Sequence, residues 1–591
     1  MPRPPNRTVK TDNIFKRITE RRLLLILSVA VGLLCGFAAV LLKTLIHLIQ
    51  DGLTSWFDAS GYGFFYLLYP GVGMILSFLF VKYLVKDDIS HGVTKVLLAV
   101  SKNESRIKKR NTWSSIVASA VTIGFGGSVG AEAPIVYSGA AIGSNIARRA
   151  NLSYRNMTIL LGCGAAAAVA GIFKAPMAGV LFTLEILLFN ISMSSILPIL
   201  ISSVTATVVT YLMMGDAVQF SNAIEAFNIH NIPWYIILGI FCGGMSLYFI
   251  NTTIRVEDRM RKIHNPMSRW LVAALLLGVL LFLFPPLYGE GYDALSAMLN
   301  NKAAEVAGGI FGPRLLDNKW VFLMFFAAVM MMKVYATALT NCGGGVGGTF
   351  GPTLVSGGLA GFVIARLINL TGAAVVPEAN FVLVGMAGMM AGVMQAPLTA
   401  IFLIAEITGG YELFIPLIVT AAISFATIRT VEPYSIYTKR IAARGDLLTH
   451  DSDQAVLTLL KTSQVIENDF NTLRVDGTLR DLVNIISVSH RNIFPVLDDK
   501  GRFQGIVTLD DVRSIMFDSS LYDTTKIYHI MKSTPAFIYE DEKMESVMMK
   551  FEQTNTWNLP VLDDENRYLG FVSKSKIFSS YRDQLKQVSH E

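Results

Sequence analysis

The sequence has little charge and lacks the residue clusters of an enzyme or a metal site. Only 16% of its 591 residues are charged, whereas 52% are hydrophobic, which is far from the composition of a soluble domain. Its four cysteines form no CxxC or Cys/His spacing, so neither a disulfide framework nor a zinc site is expected. No HExxH motif, no Ser/His/Asp set and no paired aspartates occur within the apolar segments. We therefore expect no enzyme activity, no catalytic residues, no bound metal and no required cofactor.

Long apolar segments make up most of the chain instead. The run from Leu23 to Ile49 is long enough to cross a hydrocarbon layer of ~30 Å as a helix, and similar segments continue to about Arg444. Seven basic residues precede the first run, a pattern that places the N-terminus in the cytoplasm. We expect a multi-pass protein of the cell membrane that is embedded in the lipid bilayer and has no nucleic-acid partner.

The apolar part contains an internal repeat. The segment Gly171-Ile-Phe-Lys-Ala-Pro176 recurs as Gly392-Val-Met-Gln-Ala-Pro397, and each copy leads to an acid, Glu185 or Glu406, with the same spacing. Duplicated halves with apolar segments interrupted by glycine and proline are typical of transporters whose binding site lies between the repeats. Several segments are short for a perpendicular crossing, which indicates broken or tilted helices.

A glycine-rich motif is also present twice, as Gly126-Gly-Ser-Val-Gly-Ala-Glu-Ala-Pro134 and Gly344-Gly-Val-Gly-Gly-Thr-Phe-Gly-Pro352. Each copy places glycines before a helix, with the proline in the first turn, where its missing N–H costs nothing. Such a helix start exposes N–H donors and carries about half a positive charge. We expect the two copies to bind a small anion without lysine or arginine, weakly enough to let it pass. The alternative is that the glycines only permit close helix packing.

One ionisable residue, Glu132, lies inside the first glycine-rich motif. Carboxylates inside membrane segments are costly and are functional by default. The ionised side chain would occupy the place of the anion, and the protonated or displaced side chain would leave the path open. We therefore predict that Glu132 is the gate. The alternative is a carboxylate that only caps the helix dipole.

These motifs resemble those of the CLC family of chloride channels and proton-coupled chloride transporters. Gly130-Ala-Glu-Ala-Pro134 is similar to the family's G(K/R)EGP motif, Gly348-Thr-Phe-Gly-Pro352 is similar to GxFxP, and Tyr437 falls where the family has an ion-contacting tyrosine. The resemblance implies an all-α polytopic membrane fold with two repeated halves, chloride as the transported ligand, and a homodimer. The anion-binding residues that it implies are His91, Gly92, Gly130, Ala131, Ala133, Thr349, Phe350 and Tyr437.

Two departures from the family pattern affect the anion site. His91, in Ser90-His-Gly-Val93, stands where the family commonly has a serine whose hydroxyl contacts the ion. A neutral imidazole can still donate one N–H; the alternative is that it points elsewhere and leaves only the backbone. Ala131 and Ala133 replace a basic residue and a glycine, which removes a positive charge from the outer mouth.

A third departure concerns proton coupling. Family transporters often carry two adjacent acids, the second serving as an inner proton relay, whereas here Glu185 is followed by Ile186. An isoleucine cannot carry a proton, so we expect passive conduction of chloride or a similar anion. A proton-coupled chloride antiporter is the alternative. We expect Glu185 itself to be a structural residue.

Beyond about residue 445 the charge density rises and short β-like strings appear. The segment Phe494-Pro-Val-Leu-Asp-Asp-Lys-Gly-Arg-Phe-Gln-Gly-Ile-Val-Thr508 recurs as Leu559-Pro-Val-Leu-Asp-Asp-Glu-Asn-Arg-Tyr-Leu-Gly-Phe-Val-Ser573. Two short strands joined by a turn and followed by a helix explain this pattern. It resembles a tandem of CBS domains, named for cystathionine β-synthase, which pair and often bind adenine nucleotides. The resemblance implies a regulatory α+β module in the cytoplasm.

The two CBS copies differ at the residues that would contact a nucleotide. Thr508 and Asp511 match the family's phosphate- and ribose-contacting pattern, whereas the second copy has Ser573 but Lys576 in place of the acid. At most one good site for ATP, ADP or AMP is expected. The alternative is that the module only holds a dimer together.

The sequence thus predicts five parts. They are a basic cytoplasmic segment (1–22), a CLC-type membrane domain (23–445, with halves at about 23–215 and 232–430), a linker (446–463), a first CBS domain (464–520) and a second CBS domain (528–586).

Overall fold

The computed structural model describes residues 20–57, 67–187, 193–215, 220, 224–307, 318–442, 462–542 and 544–580. The chain divides into two compact units, Met1–Leu448 and Thr449–Glu591, close to the boundary predicted near residue 446. Most of the basic N-terminal segment, almost all of the linker and the end of the second CBS domain lie outside the described residues.

The described part of the first unit is helical. Its helices are α1 (Glu20–Phe57), α2 (Tyr69–Leu79), α3 (Gly92–Lys102), α4 (Ser114–Gly124), α5 (Glu132–Arg149), α6 (Tyr154–Phe173), α7 (Pro176–Phe182), α8 (Met193–Met214), α9 (Ile232–Arg261), α10 (Pro266–Leu283), α11 (Tyr292–Leu299), α12 (Ala303–Val306), α13 (Lys319–Cys342), α14 (Phe350–Thr371), α15 (Glu378–Met394), α16 (Pro397–Ile407), α17 (Phe414–Arg429) and α18 (Ile436–Ala442). Helices α2 and α7 continue as π-helical turns, Phe80–Val85 and Thr183–Leu187.

Seven of the described helices are long and apolar enough to cross a membrane, namely α1, α6, α8, α9, α10, α13 and α14. Other apolar helices are too short for a full crossing. Two of these short helices, α7 and α16, begin at the repeat-related prolines Pro176 and Pro397, because proline suits the first turn of a helix but not its interior. The expectation of broken helices in a multi-pass membrane protein is confirmed.

The internal repeat is visible in how the helices pack. In the first half, α5 crosses α6 where a Cβ atom on Gly164 would lie only 2.0 Å from the carbonyl oxygen of Gly139. In the second half, α14 crosses α15 where a Cβ atom on Gly385 would lie 2.4 Å from the carbonyl oxygen of Gly357. Glycine at these crossings allows the two backbones to touch, as in other small-residue helix contacts in membranes. The two halves therefore share one architecture.

The second unit contains two copies of the same small α+β fold. Its elements are β1 (Leu473–Arg474), α19 (Leu479–Val488), β2 (Ile493–Leu497), β3 (Phe503–Thr508), α20 (Leu509–Val512), α21 (Ile527–Ile530), β4 (Ile538–Tyr539), α22 (Met544–Thr554), β5 (Asn558–Leu562) and β6 (Tyr568–Ser573). The sheets have the orders β1-β2-β3 and β4-β5-β6. In each, the first pair is parallel and the second antiparallel.

Each copy has its own hydrophobic core. The first is built around Phe494 and Val507, and the second around Phe551 and Val572. Both copies also show a register shift in the middle strand, after Val496 and after Val561. Because these positions are equivalent, the repeated sequence specifies the same irregularity twice.

Candidate functional site

The two glycine-rich motifs meet in the structure. Gly130 and Gly348 form an isolated antiparallel bridge, in which the N–H of Gly130 donates to the oxygen of Gly348 at 3.0 Å and the reverse bond measures 2.7 Å. A Cβ atom on Gly348 would lie 2.8 Å from the Cβ atom of Ala133, so the contact requires glycine. Helices α5 and α14 both begin two residues beyond this bridge, and their positive ends are therefore adjacent.

The side chain of Glu132 crosses from the first half to the second. Glu132 belongs to the first turn of α5 and is 2% exposed. Its Oε2 accepts the N–H of Gly351 in α14 at 3.2 Å, and its Oε1 accepts the hydroxyl of Tyr292 at 2.6 Å. The carboxylate therefore lies at the start of the second half's helix, where backbone donors would otherwise be open to a small anion.

The segment before α11 and the first residue of that helix contribute contacts that the sequence analysis missed. Tyr292 binds Glu132, and Glu290 Oε1 accepts the N–H of Ala131 at 2.9 Å. The sequence did carry a signal for Glu290, because it is an acid between two glycines in an otherwise apolar region. No comparable signal distinguishes Tyr292, because its contact with Glu132 depends on the tertiary fold.

These contacts correct two of the residues predicted to bind the anion. The N–H of Gly130 already donates to Gly348, and the N–H of Ala131 already donates to Glu290. Neither amide is open to an anion in this conformation. In the described part of the chain, the amides of Ala133, Thr349 and Phe350 make no such contact.

Basic side chains lie closer to the site than the sequence analysis expected. Lys333, in α13, is fully buried and donates to the hydroxyl of Ser128 at 2.9 Å and to the carbonyl oxygen of Gly289 at 3.1 Å. Lys333 and Lys43 both lie within electrostatic range of Glu290 and Glu132. Two lysines and two acids therefore share one buried region, where charged groups are costly without opposite charges nearby.

Two hydroxyls beside the start of α14 have unused hydrogen-bonding capacity. Among the described residues, the Tyr437 hydroxyl and Thr349 Oγ1 are buried and make no hydrogen bond, although they are neighbours. Thr349 is the N-cap residue of α14, and the ring of Phe350 packs against Phe173 and Phe182 at centroid distances of 5.6 and 6.1 Å. Buried hydroxyls without partners are costly, and hydroxyl donors beside free amides can bind an anion.

The start of α3 lies against the start of α5. A Cβ atom on Gly92 would lie 2.4 Å from the oxygen of Ala133, so glycine permits this approach. His91 precedes α3 with a positive φ of 53°, and its Nε2 lies 3.8 Å from Oε1 of Glu257. Glu257 forms a buried ion pair with Arg440 at 2.5 Å. The imidazole faces this ion pair, and its predicted contact with an anion stays a prediction.

The repeat-related acids Glu185 and Glu406 each cap the start of a helix in the other half of the membrane domain. Glu406 accepts the N–H groups of Met177 and Ala178 at the start of α7, both at 2.9 Å. Glu185 accepts the N–H groups of Leu398 and Thr399 at the start of α16, at 3.0 and 2.7 Å. The two repeat-related acids therefore make equivalent contacts, each with the helix that begins at the other half's proline.

In the second unit, the predicted nucleotide-contacting residues are engaged within the protein. The Thr508 hydroxyl donates to Asp511 Oδ2 at 2.8 Å, and Lys532 pairs with the same carboxylate. Burial alone would raise the pKa of Asp511, but the bonds from Lys532 and Thr508 outweigh it and lower that pKa. In the second copy, the Ser573 hydroxyl donates to Glu467 at 2.7 Å.

Comparisons with known proteins agree with this architecture. A sequence model described as "Voltage gated chloride channel" matches residues 72–429, and the CBS domain model matches residues 463–518 and 527–583. The chain therefore belongs to the voltage-gated chloride channel (CLC) family, and it carries two C-terminal CBS domains.

Individual relatives cover most of the chain. The H(+)/Cl(-) exchange transporter ClcA of Vibrio cholerae is 28% identical over 433 residues, which is 69% of this chain and 87% of that protein. Chloride channel protein CLC-e of Arabidopsis thaliana is 25% identical over 582 residues, which is 87% of this chain and 79% of that protein. The crystal structure of a slow cyanobacterial Cl−/H+ antiporter matches with a TM-score of 0.62 at 23% identity, covering 72% of this chain and 98% of that one.

Proposed function

We propose that this protein exchanges chloride, or a similar small anion, for protons across a membrane, with Glu132 as the gate. The position of the Glu132 carboxylate carries the proposal, because it accepts the N–H of Gly351 at the start of the other half's helix. A carboxylate and an anion there exclude each other, since both need the same donors. Protonation removes the charge that holds the side chain at the amides. The group that opens the path therefore also takes up a proton.

The anion is held beyond the gate by groups that have no other partner. We assign the amides of Ala133, Thr349 and Phe350 and the hydroxyl of Tyr437 to this role, on the basis of their burial and their unused donors. The backbone at Gly92 completes the site from α3, since it lies against the start of α5. Binding by amides and a hydroxyl is favourable but weak, as passage requires.

Exchange is supported over passive conduction by the name of one relative. The ClcA protein of Vibrio cholerae is named as an H(+)/Cl(-) exchange transporter, whereas passive conduction was expected from Ile186. That residue remains the observation in favour of a second candidate, a passive chloride channel. It is 6% exposed and apolar, so a proton from the inner side needs another route to Glu132.

The two candidates are separated by a flux assay on the purified protein in liposomes. An outward chloride gradient should drive protons inward against their own gradient, recorded with paired chloride and pH electrodes. In Glu132→Gln, the chloride flux should persist and lose its pH dependence, while proton movement falls to the level of empty liposomes. The physical reason is that an amide can neither take up a proton nor carry the charge that competes with the anion.

The matched control is Glu305→Gln, which removes an acid whose side chain is 67% exposed. Its coupled fluxes should equal those of the parent. Chloride flux without proton movement in the parent would favour the channel, and unchanged pH dependence in Glu132→Gln would exclude Glu132 as the gate.

Orientation, assembly and regulation are further parts of the proposal. The basic segment before α1 supports a cytoplasmic N-terminus and, with it, a cytoplasmic CBS module.

We propose a homodimer on the basis of the family resemblance. Light scattering tests this proposal, because a dimer has twice the mass of one chain. We also propose that adenine nucleotide binds at Thr508 and Asp511 and modulates transport, without a contribution from Ser573.

A further inference from the structure

A cavity separate from the anion site is rich in positive charge. It has a volume of about 540 Å³ and is lined by Lys108, Lys109, Arg110, Thr112, Trp113 and Arg148. Four of these six residues are cations. Neither the proposed exchange mechanism nor the family's motifs use any of them.

The cavity is held in shape by hydrogen bonds between the loop before α4 and the end of α5. The Ser144 hydroxyl donates to the oxygen of Ser105 at 2.7 Å, and the Asn145 amide donates to the oxygen of Ile107 at 3.1 Å. These bonds bring Arg148, one helical turn further on, beside the loop. These hydrogen bonds therefore fix the positions of the two segments that line the cavity.

Its positive charge is only partly compensated. Lys108 forms an ion pair with Asp87 at 3.0 Å, and Arg110 donates to the carbonyl oxygen of Val85 at 2.5 Å. Arg148 donates to an amide oxygen and has no acidic partner among the described residues. The ammonium group of Lys109 has neither a hydrogen bond nor an ion pair within the described ranges. Only one of the four cations is paired with an acid in the described part of the chain. The cavity therefore keeps a net positive charge that attracts an anion.

An apolar surface leads to this cavity. Helix α2 and its flanking turns expose hydrophobic side chains at helical spacing, and these are Leu68, Val72, Leu76, Leu79 and Tyr83. Such a stripe on a membrane protein faces acyl chains. At its far end, the half-exposed Trp113 packs against Phe80 with ring centroids 6.0 Å apart. Tyrosine and tryptophan prefer the level of the lipid headgroups, so the cavity lies where a headgroup would be.

We propose that the cavity binds the phosphate of an anionic phospholipid whose acyl chains lie along α2. The continuity of apolar stripe, aromatic residues and cations favours a lipid over a free inorganic phosphate, because only a lipid uses all three. Basic pockets between membrane helices are recognised sites for acidic headgroups. The lipid would fix the loop before α4 to the end of α5.

The test is native mass spectrometry of the delipidated full chain in detergent. Phosphatidylglycerol and phosphatidylcholine with identical acyl chains are added separately. The parent should retain phosphatidylglycerol in preference to phosphatidylcholine. The variant with Lys109→Ala and Arg148→Ala should lose at least about tenfold in retention, since each cation near an anionic lipid contributes appreciably. The variant with Lys109→Arg and Arg148→Lys should retain the lipid, which shows that the charge and not the fold is responsible.

The matched control is Arg255→Ala with Lys262→Ala, which removes two exposed cations at the end of α9. It should bind phosphatidylglycerol like the parent. Equal retention of the two lipids by the parent, or equal loss in the control, would overturn the proposal. Displacement of the lipid by millimolar inorganic phosphate would instead assign the cavity to a soluble anion. None of these results depends on whether transport is coupled to protons.

Discussion

At the scale of single residues, the proposed gating role of Glu132 depends on the hydrogen bonds that its carboxylate accepts. A hydroxyl at 2.6 Å from Glu132 makes a short, charge-assisted hydrogen bond. Such bonds contribute about 1.5–3 kcal/mol and favour the ionised form of the acceptor. If Glu132 is the gate, we expect Tyr292 to stabilise its closed state, a role that no sequence motif assigns to it.

This gives a prediction for Tyr292→Phe. Loss of the hydroxyl makes the carboxylate easier to protonate, so the pH at which chloride transport is half maximal should rise by about one to two units. The pH profile of chloride efflux from liposomes measures the shift. Tyr411→Phe, at an exposed tyrosine away from the site, is the control for losing a tyrosine hydroxyl. A profile that stays at the parent's pH in Tyr292→Phe would show that this hydrogen bond does not hold the gate.

The region around Glu132 also contains more charged side chains than the sequence led us to expect. The motifs suggested an anion site made of backbone alone, yet Lys43 and Lys333 lie within electrostatic range of Glu132 and Glu290. A lysine in a span is normally paired or lines a pathway. The lysines are distant in sequence from both acids, so only the tertiary fold brings the four charges together.

At the scale of helices, the two halves are joined by reciprocal caps. Glu185 of the first half binds the start of α16, and Glu406 of the second half binds the start of α7. Each acid is thus placed at the positive end of a helix from the other repeat. The expectation that Glu185 is structural agrees with this position.

We predict that Glu185→Gln and Glu406→Gln each lower stability by about 1 kcal/mol, the usual contribution of a helix cap. Glu185→Gln should have the larger effect, because Glu185 also accepts the hydroxyl of Thr399 at 2.6 Å. The melting temperature of the detergent-solubilised protein measures both effects. The control is Glu412→Gln, an exposed acid without a hydrogen bond in the described part of the chain. Melting temperatures equal to that control would mean that the caps contribute nothing.

At the scale of the whole molecule, the two CBS copies differ at the proposed nucleotide site. In the first copy, an ionised Asp511 can accept ribose hydroxyls, and the adjacent Lys532 supplies a cation for phosphate. In the second copy, Ser573 faces the carboxylate of Glu467, and a phosphate there would be repelled. The sequence predicts a poorer site in the second copy because Lys576 replaces the acid there. The carboxylate of Glu467 is a second reason to expect this difference.

We therefore predict that ATP raises the melting temperature of the CBS transition in the full chain. At a concentration of 100 times Kd, a ligand adds about 2.7 kcal/mol. Asp511→Asn should abolish the increase, whereas Ser573→Ala should leave it unchanged. Scanning calorimetry with and without millimolar ATP makes the measurement. An increase that disappears in Ser573→Ala but survives in Asp511→Asn would assign the site to the other copy.

Much of this protein's architecture could be predicted from the sequence, because repeated segments can be recognised in the sequence alone. The paired motifs around Glu132 and Phe350, and the paired strands of the CBS module, follow from segments that recur in order. Their chemistry follows as well, since glycines before a helix start expose amides wherever the helix lies. The family, the two halves and the place of Glu132 beside a helix start were all accessible in this way.

Only the tertiary structure decided which groups meet. Tyr292 and Glu290 reach the first motif from a distant part of the chain, and Glu290 occupies an amide that the sequence analysis left to the anion. The imidazole of His91 faces a buried ion pair, although its neighbours in sequence give no hint of one. The physical reason is the same in each case. The partner of a buried charge lies on whichever element packs beside it. The tertiary fold determines which element that is, because the helices involved are far apart in the chain.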